Sequence, residues 1–156
     1  MFPLMVHRFG TWIDERWKAP QKNRIVRKTL HLFYQVGRLL SVIFWKIEIE
    51  EDAQIAGGVS LSPKGGIILG PKTMGAGCKI YHNVTIGYGF GSGKKMARPE
   101  IGQRVSIGPN AVIYGNVKIG GGAVICSDTV VNKNVPALTI VKGNPPRLIG
   151  KVKEKT

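Results

Sequence analysis

Apolar residues recur every six positions between residues 49 and 135, and this period constrains the fold more than any other feature of the chain. An α-helix cannot keep a six-residue period on one face, and a simple strand has a period of two. The period predicts a parallel β-helix, in which each hexapeptide forms one flat side and three hexapeptides make one triangular coil. The large aliphatic positions, with two phase slips, are Ile49, Ile55, Leu61, Ile67, Met74, Ile80, Ile86, Ile101, Ile107, Ile113, Ile119, Ile125 and Val131.

A second inward position follows four residues after most of these aliphatics and is usually small or β-branched. We expect its side chains to fill the prism together with the aliphatics. Glycines directly after several aliphatics, such as Gly102 and Gly108, suit tight corners. The second set is Ala53, Val59, Gly65, Cys78, Val84, Val105, Ala111, Val117, Ala123, Thr129 and Val135.

Length and composition indicate one compact domain, since 156 residues with 43% apolar content can build a core. Cys78 falls on an inward position and Cys126 does not, so we expect no disulfide and a reducing compartment. Arg8 and Asp14 interrupt the apolar start, so we expect no cleavable signal peptide. These features favour a cytoplasmic location.

The chain carries 23 Lys and Arg against 9 Asp and Glu, a formal net charge of +14. Such a balance is common in proteins that bind nucleic acid, anionic lipid or acidic substrates. The basic residues are spread over the chain and no nucleic-acid recognition motif accompanies them. We therefore expect a solvated basic surface and no nucleic-acid partner.

The first 48 residues lack the repeat and form a separate region, followed by the β-helix over 49–136 and a closing segment with a basic tail over 137–156. From about Asn23 to Trp45 apolar residues recur at three- or four-residue steps, which predicts a helix. One interpretation is a cap over the open end of the β-helix. The other is a peripheral contact with the inner face of the plasma membrane, with Trp12 and Trp17 at the headgroups.

Between Ile86 and Ile101 the repeat is interrupted by a Gly-rich loop, residues 87–100. A loop that leaves a rigid solenoid is a common place for a binding site. Lys94, Lys95 and Arg98 in this loop would suit an anionic group of a substrate, although the loop lacks the spacing of a P-loop.

The repeats, the loop after Val84-Thr85-Ile86-Gly87 and the closing segment 141–147 resemble the hexapeptide-repeat acyltransferases. Within that family the chain resembles the serine O-acetyltransferase branch and, in character, its exopolysaccharide- and colanic-acid-acetylating relatives. The resemblance implies a left-handed β-helix and a homotrimer. It also implies acetyl-CoA in a groove between subunits, a histidine as general base, and no metal.

The resemblance also shows where the chain departs from serine acetyltransferases. Those enzymes have Asp-His where this chain has Ser62 and Pro63, so the usual base is missing. A second family histidine is here Arg98, and the arginine before it is Ala97; only Glu48 keeps the carboxylate that orients the family's base. These losses lead us to expect an acetyltransferase that acts on a hydroxyl of a sugar or polysaccharide precursor.

His82 is the histidine within the repeats and is the candidate base. It occupies the same hexapeptide position as Pro63 three hexapeptides earlier, so the two should stack about 4.8 Å apart along the axis. A neutral imidazole can accept a hydroxyl proton near neutral pH. The alternative is an ordinary surface histidine on a turn. The acid partner of a catalytic His82 would be Glu100, a distant carboxylate or one of a neighbouring chain, or a backbone carbonyl.

The same arithmetic places Pro63, His82, Pro109 and Ser127 in one column. In the related acetyltransferases the pantetheine arm of acetyl-CoA runs along such a column. By the match to the family, Pro109 and Ser127 would line the arm, and Lys133 and Arg147 would lie near the nucleotide phosphates.

Two other functions compete with a sugar O-acetyltransferase. One is a serine or small-amine acetyltransferase, and the other is a trimeric scaffold without catalysis, which Pro63 suggests. A metal-dependent hydratase of this fold needs several converging histidines, and the repeats carry only His82.

Overall fold

The computed structural model describes residues 2–16, 24–89 and 97–152, which form two helices followed by fifteen short strands. Helix α1 spans Phe2–Arg16 and α2 spans Arg24–Trp45, close to the predicted helix. The strands are β1 Ile47–Ile49, β2 Gln54–Ile55, β3 Ser60–Leu61, β4 Ile67–Leu69, β5 Thr73–Met74, β6 Lys79–Ile80, β7 Thr85–Gly87, β8 Glu100–Ile101, β9 Ser106–Ile107, β10 Val112–Tyr114, β11 Lys118–Ile119, β12 Val124–Ile125, β13 Val130–Val131, β14 Thr139–Lys142 and β15 Arg147–Lys151.

Successive strands belong in turn to three sheets, so the chain winds around a triangular prism. Face A has the order β1-β4-β7-β10-β13, face B the order β11-β8-β5-β2, and face C the order β15-β14-β12-β9-β6-β3. All neighbours pair in parallel except β14 and β15, which are antiparallel and close the structure. The left-handed hexapeptide β-helix predicted from the sequence is therefore confirmed.

The prism is filled by the two inward positions that the period predicts. All eleven residues of the second inward set are buried, and so are eleven of the thirteen aliphatics. Ile55 and Leu61 are only half-buried because they belong to the first coil, which has a neighbouring coil on one side. The core is thus one continuous column of aliphatic side chains along the axis.

Asparagine and aspartate side chains form a ladder along the corner between faces C and A. Asn83, Asn110 and Asp128 have φ of 56°, 59° and 57°, a left-handed conformation that these short polar residues tolerate better than most. Asn83 Nδ2 donates to Asn110 Oδ1 at 3.2 Å, and Asn110 Nδ2 donates to Asp128 Oδ1 at 2.9 Å. The ladder therefore ties three successive coils together at this corner.

The two helices pack antiparallel at the start of the prism. Gly10 lies so close to Tyr34 that an added Cβ would come within 2.5 Å of its ring. Leu4 joins the β-helix core, and His7 Nε2 lies 2.9 Å from the carbonyl oxygen of Ala53, to which it donates. Helix α1 therefore covers the first coil, which is the capping role considered for this region, while much of α2 faces away from the prism.

Candidate active site

The strand register brings the predicted column together at the corner between faces C and A. Leu61, Ile80, Ile107, Ile125 and Val141 pair in sequence across face C. Two residues after each of them the chain turns this corner, so the corner residues stack in the same order. They are Pro63, His82, Pro109, Ser127 and Gly143.

Backbone hydrogen bonds support this stacking. The amide of Asn110 donates to the His82 carbonyl at 3.2 Å, and the amide of Asp128 donates to the Pro109 carbonyl at 2.9 Å. With about 4.8 Å per coil, Ser127 lies about 10 Å and Gly143 about 14 Å above His82 along the axis. We call this set the corner column.

His82 is half-buried in the turn that precedes Asn83. Among the described residues its imidazole has no side-chain hydrogen bond and no ion pair. An open groove of about 240 Å³ lies beside it on face C, lined by Ser60, Ser62, Pro63, Lys79 and Tyr81. His82 follows Tyr81 but does not itself line the groove. A neutral imidazole next to such a groove can accept a proton from a hydroxyl that reaches it.

Glu100, the one acid partner named from the sequence, lies away from His82. It belongs to face B, which is opposite the corner column. There its carboxylate accepts from Lys72 Nζ at 2.7 Å and lies 3.5 Å from Lys118 Nζ. The hydrogen bond from Lys72, followed by the charge of Lys118, lowers the pKa of Glu100. Within one chain Glu100 therefore pairs with the lysines on face B and does not orient His82.

The two predicted phosphate ligands lie in different places. Arg147 begins β15 opposite Lys142 at the end of β14, close to Gly143 at the top of the corner column. Lys133 follows β13 and turns the corner between faces A and B, so it lies off the column in the same chain. Both side chains are exposed. Arg147 can contact a ligand that lies along the corner column of its own chain. Lys133 can contact only a ligand that lies along the corner column of a neighbouring subunit.

Of the three basic residues predicted to bind substrate, Lys94 and Lys95 lie outside the described residues. Arg98 is described, and its side chain is 16% exposed. Its Nη1 and Nη2 donate to the two carboxylate oxygens of Asp52, each at 2.5 Å, and its guanidinium lies 5.5 Å from the Tyr88 ring centre. We expected the Arg98 guanidinium to bind an anionic group of a substrate, but Asp52 already occupies its two donor groups.

The pairing shifts the pKa of both groups in the direction that favours their charged forms. The hydrogen bonds from Arg98 lower the pKa of Asp52, and Asp52 raises the pKa of Arg98. Asp52 and Tyr88 were not identified from the sequence. Asp52 lies 46 residues before Arg98, and no motif links the two positions.

A larger open cleft, about 490 Å³, lies where α1 meets the first coils, lined by His7, Arg8, Glu51, Asp52 and Thr73 among others. His7 is buried, and its Nδ1 has no hydrogen-bond partner among the described residues. Burial lowers the pKa of His7, partly offset by its bond to the Ala53 carbonyl. His7 lies outside the repeats, and its packing against the first coil did not follow from the sequence.

Glu48, which matches the carboxylate that orients the family's base, lies in the middle of β1 with its side chain exposed on face A. Pro63 is exposed as well. The backbone of this turn is fixed against the end of α2, because an added Cβ on Gly65 would lie 1.9 Å from the Trp45 carbonyl oxygen.

Comparison with known proteins shows what this chain is similar to. The bacterial transferase hexapeptide (six repeats) pattern matches residues 98–133. This part of the chain is therefore similar to the bacterial hexapeptide-repeat transferases. The matched residues include six strands, β8 to β13, in the upper coils, where the aliphatic period is unbroken.

The similar curated proteins are serine acetyltransferases. Serine acetyltransferase 2 of Arabidopsis thaliana is 36% identical over 132 residues, which cover 83% of this chain and 39% of the relative. Serine acetyltransferase of Escherichia coli is 33% identical over 149 residues, which cover 95% of this chain and 50% of the relative. The chain thus spans half or less of the length of these relatives.

Solved structures give the same result. A serine acetyltransferase of Neisseria gonorrhoeae matches with a TM-score of 0.76 and 29% identity, over 98% of this chain and 55% of the other. A serine acetyltransferase of Brucella abortus in complex with coenzyme A matches with a TM-score of 0.77 and 29% identity, over 96% and 55%.

These comparisons contradict the acceptor expected from the sequence. The similar proteins named above are serine acetyltransferases, and nothing in the comparisons supports an exopolysaccharide or colanic-acid type. The expectation of a sugar or polysaccharide acceptor is therefore wrong. It rested on the loss of residues that bind serine in the family, and a loss does not specify a new acceptor.

Proposed function

We propose that this protein transfers an acetyl group from acetyl-CoA to the hydroxyl of serine or of a similarly small acceptor. One observation carries the proposal: 96% of the chain matches the fold of a serine acetyltransferase solved with coenzyme A. Because the match covers 96% of the chain, it extends well beyond the 36 residues of the hexapeptide pattern.

The corner column supplies a path for the acetyl donor. Its upper end carries Arg147, which can pair with phosphate, and its lower end carries His82 beside the groove. In the proposed step the acceptor oxygen attacks the thioester carbonyl carbon while His82 takes the hydroxyl proton. The carbon–sulfur bond then breaks, and the proton on His82 passes to the leaving thiolate of CoA.

Acceptor binding should differ from that of the relatives at two places. Ser62 and Pro63 replace the family's Asp-His pair, so the groove beside them has lost a carboxylate and an imidazole. Arg98 is held by Asp52, so its charge is already neutralised. Lys94 and Lys95 remain the candidates for pairing with an acceptor carboxylate.

A homotrimer is part of the proposal, because proteins of this family are typically trimers. The outward residues of face A include Ile68, Val112 and Val130, whereas those of face B include Glu100 and Lys118. Ile68 is 44% exposed in the single chain. The same column also contains Glu48 and Thr85, but three of its five residues are apolar, so face A is the better surface for contact with another subunit.

Pro63 favours one further candidate, a trimeric scaffold without catalysis. A proline at the position of the family's base cannot exchange a proton, and it is exposed in the groove. In this case the fold and trimer would persist without turnover.

The deciding experiment is acceptor-dependent release of CoA, measured with a thiol reagent for serine, homoserine, threonine and a set of sugars. The proposal expects release with serine or another small hydroxy amino acid and none with sugars. If acetyl-CoA binds in calorimetry but no acceptor gives release, the scaffold is the better interpretation.

A further inference from the structure

Helix α2 presents an apolar face that nothing in the described structure covers. At about 100° per residue, six large side chains of α2 lie within one sector of about 120°. Leu32, Phe33, Leu39 and Ile43 are between 59% and 67% exposed. The complete sector is Leu32, Phe33, Val36, Leu39, Leu40 and Ile43, and we call it the α2 outer face.

The opposite side of α2 packs against the rest of the protein. Tyr34 and Ser41 are buried there, and Arg38 pairs with Glu51 at 2.5 Å. The helix is therefore held with its outer face pointing away from α1 and from the prism. An apolar face of this extent on a monomeric soluble surface usually marks an interaction site.

The charge around this face indicates which partner it meets. The first 46 residues contain nine Lys and Arg and only two acidic residues, Asp14 and Glu15. Lys28 is exposed near the start of α2. A second copy of the chain would bring two strongly basic segments together, whereas an anionic surface would complement them.

One aromatic side chain borders the α2 outer face, because Phe44 follows Ile43 and is 70% exposed. Two tryptophans lie elsewhere on the helical region: Trp12 of α1 is 47% exposed, and Trp45 stacks on Phe2 of α1 at 5.2 Å. Tryptophan and phenylalanine beside basic residues are typical of helices that lie in the headgroup region of a bilayer. Neither described helix is long and apolar enough to cross a membrane.

We propose that the α2 outer face docks on a lipid bilayer that contains anionic phospholipid, with the helix lying in the plane of the interface. The proposal is independent of the acetyl transfer proposed above, because none of its residues belongs to the corner column. The apolar face supplies the insertion and the basic residues supply the preference for anionic headgroups.

The test is co-sedimentation of the full chain with large vesicles of phosphatidylcholine, with and without phosphatidylglycerol. The wild type should sediment with the anionic vesicles, and added salt should release it. The double variant Leu39→Gln, Ile43→Gln should bind at least about tenfold more weakly because both side chains lose their insertion into the bilayer. Leu148→Gln, Ile149→Gln is the matched control, since these β15 side chains are 55% and 59% exposed elsewhere on the surface, and it should bind like the wild type.

Three results would overturn the proposal. The first is a wild type that stays in the supernatant with anionic vesicles. The second is equal binding to both kinds of vesicle, or an equal loss in the control variant. The third is a wild-type assembly larger than a trimer that only the α2 variant dissociates in light scattering, because the face would then bind a second copy. Thermal unfolding of all three proteins checks that the substitutions leave the fold intact.

Discussion

Arg98 and Asp52 join the end of the Gly-rich loop to the first coil through two parallel N–H···O bonds of 2.5 Å. A two-bond fork is the strongest geometry for an exposed ion pair and fixes direction as well as distance. The stacked ring of Tyr88 comes from the other side of the same loop. The pair therefore determines where the loop returns to the prism.

Removing this pair should loosen the loop at a small cost in stability. We expect Asp52→Ala to lower the free energy of unfolding by about 1 kcal/mol or less, because the carboxylate is largely solvent-exposed. Arg98 lowers the pKa of Asp52, so this contribution is present above the ordinary carboxyl value of 3.8 and disappears as the pH falls through the lowered pKa. Denaturant titration and hydrogen exchange of the Ala97 and Arg98 amides measure the two effects. Glu51→Gln, which breaks the single-bond pair with Arg38, is the control and should leave exchange in the loop unchanged.

His82→Ala should reduce turnover about a hundred- to ten-thousand-fold with little change in acetyl-CoA affinity, since a general base acts in the transition state. Steady-state kinetics with the true acceptor and calorimetry with acetyl-CoA measure the two quantities. His31→Ala, on α2, should keep wild-type turnover. Wild-type turnover in the His82 variant would show that another group takes the proton.

Arg147→Ala should weaken acetyl-CoA binding about tenfold and reduce its dependence on salt, because a charge-assisted bond to phosphate is lost. Lys133→Ala distinguishes two possible positions of the cofactor, within one chain or between two subunits. If the cofactor lies within one chain, this variant should bind like the wild type. If it lies between subunits, as the family resemblance implies, Lys133→Ala should weaken binding as well. Unchanged calorimetric affinity in the double variant would place the nucleotide elsewhere.

Light scattering should give a mass of about 51 kDa, three times the 17.0 kDa chain. Ile68→Glu should shift the protein towards monomers, because a buried unpaired charge on face A disfavours contact. Gln54→Glu introduces the same charge on face B and should leave the mass unchanged. A wild-type monomer would contradict the trimer and any site shared between subunits.

Acidification should destabilise the protein through His7. Burial lowers its pKa below the ordinary 6.5, so the unfolded chain binds a proton at a higher pH than the folded one. The free energy of unfolding should therefore be highest above that value and fall as the pH drops below it. Denaturant titrations at about pH 8 and about pH 5 measure the change. His7→Gln, which can still donate to the Ala53 carbonyl, should flatten this dependence, whereas His82→Gln should retain it.

The fold could be predicted from sequence because one physical requirement repeats along the chain. Each inward residue from Ile49 to Val135 must fill the same prism, so the period itself carries the architecture. The register of the corner column followed from the same counting. Helix α1 was less visible because its buried residues, such as Leu4 and Ile13, are few and lie outside the repeat.

The site was harder to predict because its contacts do not follow the repeat. The pairing of Asp52 with Arg98 spans a loop of irregular length. Lys133 was placed by resemblance, whereas its position two residues after Val131 already assigns it to the corner after face A. The prediction of a sugar acceptor was wrong for a related reason. Ser62 and Pro63 show that the family's carboxylate and imidazole are missing, but they do not indicate which acceptor is bound instead.

The number of stacked coils also fixes the axial distance between Arg147 and His82. Each added coil would move Arg147 away from His82 by about 4.8 Å without rotating either residue around the axis. The number of coils between them therefore sets how long a donor molecule can be and still reach both ends. An insertion that is not a whole coil would instead turn every later side chain onto another face, unless it left the prism at a corner as the loop before Arg98 does.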